Sequence, residues 1–195
     1  RVLDQVMAGQ GRVCFVTGQA GGGKTALVER FLAEALERQP SLVAAVGTCN
    51  AQTGIGDPYL PFREALAMLT GTGAAAPQRT RVAPENENRL QAALAVTAQV
   101  LIEVAPDLIG LIVPGANLAG AVGKALAEKA GWTEQLKQQV AASGDVLDQG
   151  RIFEQYVAFL HKLSQQTPLV LFLDDLHWAD NPSIALLFHL GRHVG

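Results

Sequence analysis

The chain has 195 residues, of which 49% are apolar and 17% are charged, and its formal net charge is −3. This composition is typical of a globular domain with a sizeable core, and it excludes a disordered chain. The negative charge disfavours non-specific binding of nucleic acid by this segment. In chain order, the first predicted elements are the end of a short helix at 2–8 and a first strand at 12–17.

A glycine-rich loop follows the first strand and precedes a helix predicted at 24–38. Residues 18–25 read GQAGGGKT and match the phosphate-loop pattern G-x-x-x-x-G-K-[ST]. In such a loop, successive backbone N–H groups point inward and bind phosphate oxygens, and the N-terminus of the next helix favours negative charge. The predicted nucleotide-phosphate site consists of Gly18, Gln19, Ala20, Gly21, Gly22, Gly23, Lys24, Thr25 and Ala26.

Lys24 and Thr25 have separate predicted roles. Lys24 supplies a mobile positive charge to the β- and γ-phosphates and is a candidate catalytic residue, whereas the Thr25 hydroxyl is a candidate ligand of Mg²⁺. The alternative is a glycine turn with an incidental surface lysine, which the flanking strand and helix disfavour. The helix is predicted to face the core with one apolar stripe, formed by Leu27, Val28, Phe31, Leu32, Ala35 and Leu36.

The middle of the chain predicts one more strand and several helices. The elements in order are strand 2 at 42–48, a polar loop at 50–58, a short helix from 61, a connector at 71–84, a helix at 85–104, ambiguous short helices at 107–142 and a helix at 145–166. Residues 71–148 thus form a helical insertion between strands 2 and 3. Its apolar stretch 108–126 is interrupted by Pro114, Asn117 and Lys124, so no membrane span is predicted.

The two cysteines carry no metal-binding or redox spacing. Cys14 and Cys49 each lie at or near a predicted strand, so both are interpreted as small buried residues. The chain shows no charged-then-apolar leader, and we therefore expect a cytoplasmic protein.

The second chemically informative feature is an apolar run at 169–173 that ends in two carboxylates. Five apolar residues in a row predict strand 3 of a parallel sheet, buried on both faces. Ligands of open α/β sheets bind at the carboxyl ends of the strands. Asp174 is therefore the candidate Mg²⁺ ligand, and Asp175 is the candidate catalytic residue that orients or deprotonates the attacking water. The alternative is a pair of turn-forming aspartates. A last helix is predicted at 182–193, with Asn181 as its cap.

The string at 174–180, DDLHWAD, resembles the acidic-strand motif of the signal-transduction ATPases with numerous domains (STAND). The similar branch occurs in large ATP-binding bacterial transcriptional regulators and in adenylate cyclase and kinase fusions. The phosphate loop at 18–25 and the segment at 54–62 are also similar to that family. The resemblance implies a three-layer α/β fold, that of an AAA-like P-loop NTPase with parallel strand order 5-1-4-3-2. It also implies ATP and Mg²⁺ as cofactors, and a slowly hydrolysing nucleotide switch in a multidomain signalling or transcription-regulatory protein.

Two features of that family have no counterpart in the chain. These are an apolar-Gly-Arg-Glu motif before strand 1, and strand 4 with its sensor Arg or Lys. We therefore expect 1–195 to be a partial domain whose partners include the nucleotide and other domains of a larger chain. A nucleotide-dependent oligomer is a further candidate arrangement, which the missing motifs do not test. Direct contact with membrane or nucleic acid is not expected. Because a cationic group near the γ-phosphate strongly affects the rate, the chain alone is expected to hydrolyse ATP poorly.

Other functions share these motifs. One is a non-hydrolysing nucleotide-binding or protein-interaction module in which 71–148 presents the partner surface. Another is a DNA-handling ATPase of the AAA type, although the sequence has no basic stripe to support it. His177 is interpreted as a packing or capping residue, in preference to one that contacts the γ-phosphate or a neighbouring subunit. Trp178 is interpreted as a packing residue. Asp57 is interpreted as a turn residue before Pro58, in preference to one near the nucleotide. Asp180 is a candidate cap of the last helix, or a residue that orients groups around the site.

Overall fold

The computed structural model describes residues 2–51, 58–71, 84–112 and 148–194. Strands β1 (Val43–Thr48) and β2 (Leu169–Asp174) are surrounded by helices, and a 3₁₀ turn, Leu176–Trp178, follows β2. The helices are α1 (Val2–Met7), α2 (Lys24–Arg38), α3 (Leu60–Thr70), α4 (Pro84–Val104), α5 (Asp107–Ile112), α6 (Gln149–Ser164) and α7 (Asn181–His193).

The two strands form a parallel pair. Val43 lies opposite Leu169, and Thr48 lies opposite Asp174. Parallel strands need a crossover connection, which here includes α3 to α6. The pairing agrees with the predicted order, in which strands 2 and 3 are neighbours. As a consequence, both strands end at the same edge of the sheet, with the acidic pair at that edge.

Side chains alternate between the two faces of this sheet, and each face contacts its own hydrophobic core. The larger core contains Val43 and Ala45 together with buried residues of α3 to α7, including Phe62, Tyr156 and Phe159. On the opposite face, Ala44 packs against Leu32, Ala35 and Leu36 of α2, and Val170 and Phe172 of β2 lie against the same cluster. Helices on both faces of a parallel sheet make the three-layer α/β arrangement that the sequence predicted.

The outer edge of β1 is closed by side chains of two helices. Asn86 of α4, which is 1% exposed, accepts a hydrogen bond from Ala44 N and donates one to Ala44 O, both at 2.9 Å. A carboxylate oxygen of Glu64, on α3, accepts from Thr48 N at 2.8 Å. These bonds occupy backbone groups that would otherwise be free to pair with another strand. We therefore expect the sheet to extend no further on the β1 side.

The predicted first strand at 12–17 is wrong within the described residues, because that segment has no regular secondary structure. Its apolar side chains are exposed, and Phe15 reaches 62%. A strand forms only when another strand satisfies its backbone groups, and no described strand lies beside this segment. Cys14 is exposed for the same reason, so its predicted burial is wrong, whereas Cys49 is buried as predicted.

The apolar stripe of α2 and the burial of β2 are only partly as predicted. Leu32, Ala35 and Leu36 are buried, but Leu27 and Phe31 are 63% and 41% exposed. All residues of β2 are half-buried instead of buried, because β1 is the one described strand that pairs with it. The exposed part of α2 and the free edge of β2 therefore mark surface that the described elements leave uncovered.

The remaining helix predictions are close to the observed bounds. The helices predicted at 24–38 and 85–104 correspond to α2 and α4, and α6 lies within the predicted 145–166. Asp180, not Asn181, caps α7, because the Asp180 carboxylate accepts from Ser183 N at 2.8 Å. The predictions for 72–83 and 113–147, and most of the loop at 50–58, lie outside the described residues. None of the described helices is both long and apolar enough to cross a membrane.

Candidate functional site

The phosphate loop and the acidic strand meet at a direct hydrogen bond. The Thr25 hydroxyl donates to Asp174 Oδ2 at 2.9 Å, although the two residues are 149 positions apart in the chain. Thr25 lies in the first turn of α2, and Asp174 is the last residue of β2. A hydroxyl and a carboxylate oxygen at this distance are both hard oxygen ligands of the kind that Mg²⁺ binds.

The loop backbone turns sharply before α2. Gly23 has φ 77° and ψ 19°, a left-handed conformation that favours glycine. Its carbonyl oxygen accepts the first helical bond, from Leu27 N at 2.9 Å. This turn places Lys24 at the beginning of the helix, next to Thr25, so both side chains lie where the N-terminal N–H groups of α2 favour an anion.

Lys24 is held inside its own loop. Its ammonium group donates to Gly18 O at 3.1 Å and to Gln19 O at 2.9 Å. An ammonium group has three donors, so these two bonds leave one for a ligand. The Lys24 ammonium group therefore lies against its own loop, whereas the side chain of the next residue, Thr25, contacts the acidic strand.

Asp175 lies just outside this contact. Its backbone has φ 55° and ψ 38°, in the left-handed region that Asp tolerates better than most residues, and its N–H donates to Asp174 Oδ1 at 2.9 Å. The carboxylate is exposed, and one of its oxygens is 3.8 Å from Nδ1 of His177, beyond hydrogen-bond distance. The sharp turn separates the two carboxylates: Asp174 contacts the phosphate loop, and Asp175 faces solvent.

His177 and Trp178 form a small aromatic pair on the 3₁₀ turn after the acidic residues. Their ring centroids are 5.0 Å apart, and Trp178 is 49% exposed. Packing of Trp178 against the loop is therefore only partial. Asp180, two residues further on, accepts hydrogen bonds from Tyr59 N and Ser183 N and so links the beginning of α3 to α7.

Carboxylates surround the ends of β1 and β2. Burial, together with the negative charges of Asp180, Asp175, Glu64 and Asp174, raises the pKa of the Cys49 thiol to about 12. Burial also raises the pKa of Glu64, against the opposite effects of the Thr48 N–H group and Arg63. The edge of the sheet that would receive a cation is thus already negative.

The two thiols should differ strongly in reactivity. Because the thiolate is the reactive form, we expect a disulfide reagent at pH 8 to label about one thiol per chain in the native state, at the exposed Cys14, and both thiols in guanidinium chloride. Labelling is followed by absorbance and assigned by peptide mass. Rapid native labelling of Cys49 would contradict its burial at the end of β1.

The family model described as "AAA ATPase domain" matches residues 1–195, the whole chain. The chain belongs to the AAA ATPase domain family. Membership implies the P-loop NTPase fold, and the parallel strands with helices on both faces are consistent with part of it. No curated protein and no solved structure matches the chain significantly.

The residues present fit the ligands that AAA ATPases typically use, ATP and Mg²⁺. Thr25 and Asp174 place two oxygen atoms side by side that could hold Mg²⁺, and Lys24 places a positive charge at the N-terminus of α2. Sequence reasoning named all three. It missed Glu64 and Asn86, which hold β1, because each is a single polar residue in an otherwise unremarkable helical pattern.

Proposed function

We propose that this AAA domain binds MgATP between the phosphate loop and the end of β2 and hydrolyses it slowly. The observation that carries the proposal is the hydrogen bond from the Thr25 hydroxyl to Asp174 Oδ2. It joins two motifs that have separate roles in P-loop chemistry, one for the phosphates and one for the metal. A glycine turn with an incidental lysine gives no reason for this contact.

Each side chain has one task in this proposal. The loop backbone from Gly18 to Ala26 and the Lys24 ammonium bind phosphate oxygens, and Thr25 and Asp174 hold Mg²⁺, which neutralises charge on the phosphates when bound. Asp175 accepts the proton of the attacking water, or orients that water by a hydrogen bond. Its exposed position suits contact with solvent, from which the water comes.

The biological setting that we propose is a cytoplasmic, multidomain signalling or transcription regulator of the STAND type, in which bound nucleotide controls the arrangement of neighbouring domains. Support comes from the DDLHWAD string at 174–180. The half-buried strand β2, whose second edge pairs with none of the described strands, and the exposed Leu27 and Phe31 of α2 support contact of this domain with further elements.

A melting experiment tests nucleotide binding. We expect MgATP at a hundredfold excess over its dissociation constant to stabilise the chain by about 2.7 kcal/mol through linkage. For a chain of this size, that corresponds to a rise in Tm of roughly 5–11 °C. The Lys24→Ala variant should show little or no rise, because it loses the positive charge next to the phosphates. Tm is followed by circular dichroism with and without MgATP.

Two controls make this result interpretable. Arg30→Ala removes a cation on the solvent face of α2, where Arg30 pairs with Glu34, and should keep the full nucleotide-dependent rise. Melting of Lys24→Ala without nucleotide should match the wild type, which excludes unfolding as the cause. A wild-type Tm that does not respond to MgATP would refute the proposed function.

A further inference from the structure

The carboxylate of Glu64 lies at the end of β1, next to the candidate site. It is half-buried on α3, and its Oε2 accepts from Thr48 N at 2.8 Å. Thr48 is the last residue of β1 and lies opposite Asp174 in the strand register. Glu64 therefore contacts the sheet at the same level as the proposed metal ligand.

Consecutive backbone N–H groups of β1 point in opposite directions at this level. Thr48 N points outward to Glu64, and the next one, Cys49 N, points inward and donates to Asp174 O at 3.0 Å. Asp174 in turn accepts the Thr25 hydroxyl through Oδ2. A continuous series of hydrogen bonds thus leads from α3 through the end of β1 to Asp174 and the phosphate loop.

A carboxylate is an unexpected choice for closing a strand edge. At the other end of β1, the neutral amide of Asn86 closes the same edge with two hydrogen bonds and carries no charge. Burying a charged group costs free energy. If the hydrogen bond to Thr48 N were only structural, the neutral side-chain amide of Asn or Gln could accept it equally well. The Thr48 hydroxyl oxygen is itself buried without a hydrogen-bond partner among the described residues. Glu64 thus gives Thr48 a side-chain hydrogen bond through its backbone N–H and not through its hydroxyl.

We propose that Glu64 is a positioning residue for the metal site: by holding Thr48, it fixes the end of β1 and, through Cys49 N, the position of Asp174 relative to Thr25. This inference rests on the proposed function. It assigns Glu64 no contact with the nucleotide or the metal ion. The hydrogen bond carries the effect, so any residue that accepts from Thr48 N in the same place should preserve it.

The test compares three variants in their response to Mg²⁺. The quantity measured is the ratio of ATP dissociation constants without and with Mg²⁺, obtained by calorimetry. Because a hydrogen bond to a charged group is worth roughly tenfold or more in an equilibrium constant, Glu64→Ala should reduce this ratio about tenfold while leaving binding of metal-free ATP unchanged. Glu64→Gln keeps an acceptor and should stay within about threefold of the wild type.

Asn86→Ala is the matched control for stability. It removes the two hydrogen bonds to Ala44, which lies about 13 Å along the same strand from Thr48. Tm should fall, while the ratio of ATP dissociation constants without and with Mg²⁺ stays at the wild-type value. An equal loss of the ratio in Asn86→Ala and Glu64→Ala would overturn the positioning role and leave the proposed function intact. A wild type that binds no nucleotide would instead refute the proposed function, and this inference would fall with it.

The thiol of Cys49 gives a second readout that needs no nucleotide. Cys49 follows Thr48 directly and is 3% exposed, and exposed Cys14 is an internal reference in the same molecule. If Glu64 holds this end of β1, Glu64→Ala should raise the labelling rate of Cys49 about tenfold relative to Cys14. Asn86→Ala should leave it near the wild-type value, and Glu64→Gln, which keeps an acceptor for Thr48 N but removes a negative charge that raises the Cys49 pKa, should raise it clearly less than Glu64→Ala does. An unchanged rate in Glu64→Ala would contradict the proposal even if that variant is fully folded.

Discussion

Replacing Gly47 with alanine should destabilise the domain by about 3 kcal/mol or more, which is the upper part of the range for overpacking. Gly47 lies in β1, where α3 crosses the strand closely. A Cβ atom at this position would overlap the Pro61 carbonyl oxygen and lie 2.8 Å from Pro61 Cα. These are backbone atoms at the beginning of a helix, so they cannot move aside as a flexible side chain would. For a domain of this size, the expected fall in Tm is roughly 6–12 °C.

A second glycine gives the matched control. Gly191 lies in α7, and a Cβ atom added there meets no described atom within 4 Å apart from its chain neighbours and its own helix backbone. Alanine is favoured over glycine in a helix by about 0.8–1 kcal/mol, so Gly191→Ala should raise Tm slightly. Both changes add one methyl group, and their effects on Tm are expected to have opposite signs. Equal Tm values for Gly47→Ala and the wild type would contradict the close packing of α3 on β1.

The close approach of α3 could not have been predicted from the sequence. Gly47 is the fifth residue of a six-residue strand, and local propensity shows only a weak strand position. The reason for glycine is Pro61, which belongs to a different element. The same limit applies to Asn86, whose buried amide reads in the sequence as an ordinary polar residue near the start of a helix. Contacts between distant segments depend on tertiary packing, which cannot be predicted from the spacing of apolar residues or from composition.

Patterns that are complete within a short stretch were predicted well. The loop at 18–25 and the acidic end of β2 are each complete within a few residues, and the structure brings them together through Thr25 and Asp174, as expected. The strand predicted at 12–17 failed for the converse reason. Its β-branched and aromatic residues favour a strand, but pairing needs a neighbouring strand, and none of the described strands lies beside it.

Hydrolysis should depend on Asp175 much more than binding does. If Asp175 activates the attacking water, Asp175→Asn should bind MgATP with nearly the wild-type affinity and lose hydrolysis by about 10²–10⁴-fold, the usual contribution of general-base catalysis. The structure explains why binding should be preserved. The Asp175 carboxylate is exposed and makes no hydrogen bond or ion pair to the described phosphate loop, and its backbone N–H, which donates to Asp174 Oδ1, is unchanged in asparagine.

Asp174→Asn should show a different defect, because Asp174 is the residue that touches the phosphate loop. An amide is a weaker ligand of Mg²⁺ than a carboxylate, so the Mg²⁺ dependence of binding should fall together with turnover. Steady-state phosphate release and calorimetry on the two variants therefore separate water activation from metal binding.

If the wild type and Asp175→Asn bind MgATP equally and neither releases phosphate, the chain is a nucleotide-binding module whose ligand is structural. If Asp175→Asn loses turnover but keeps its Mg²⁺-dependent binding of ATP, the Asp175 carboxylate, which faces solvent after the left-handed turn at the end of β2, acts in the chemical step.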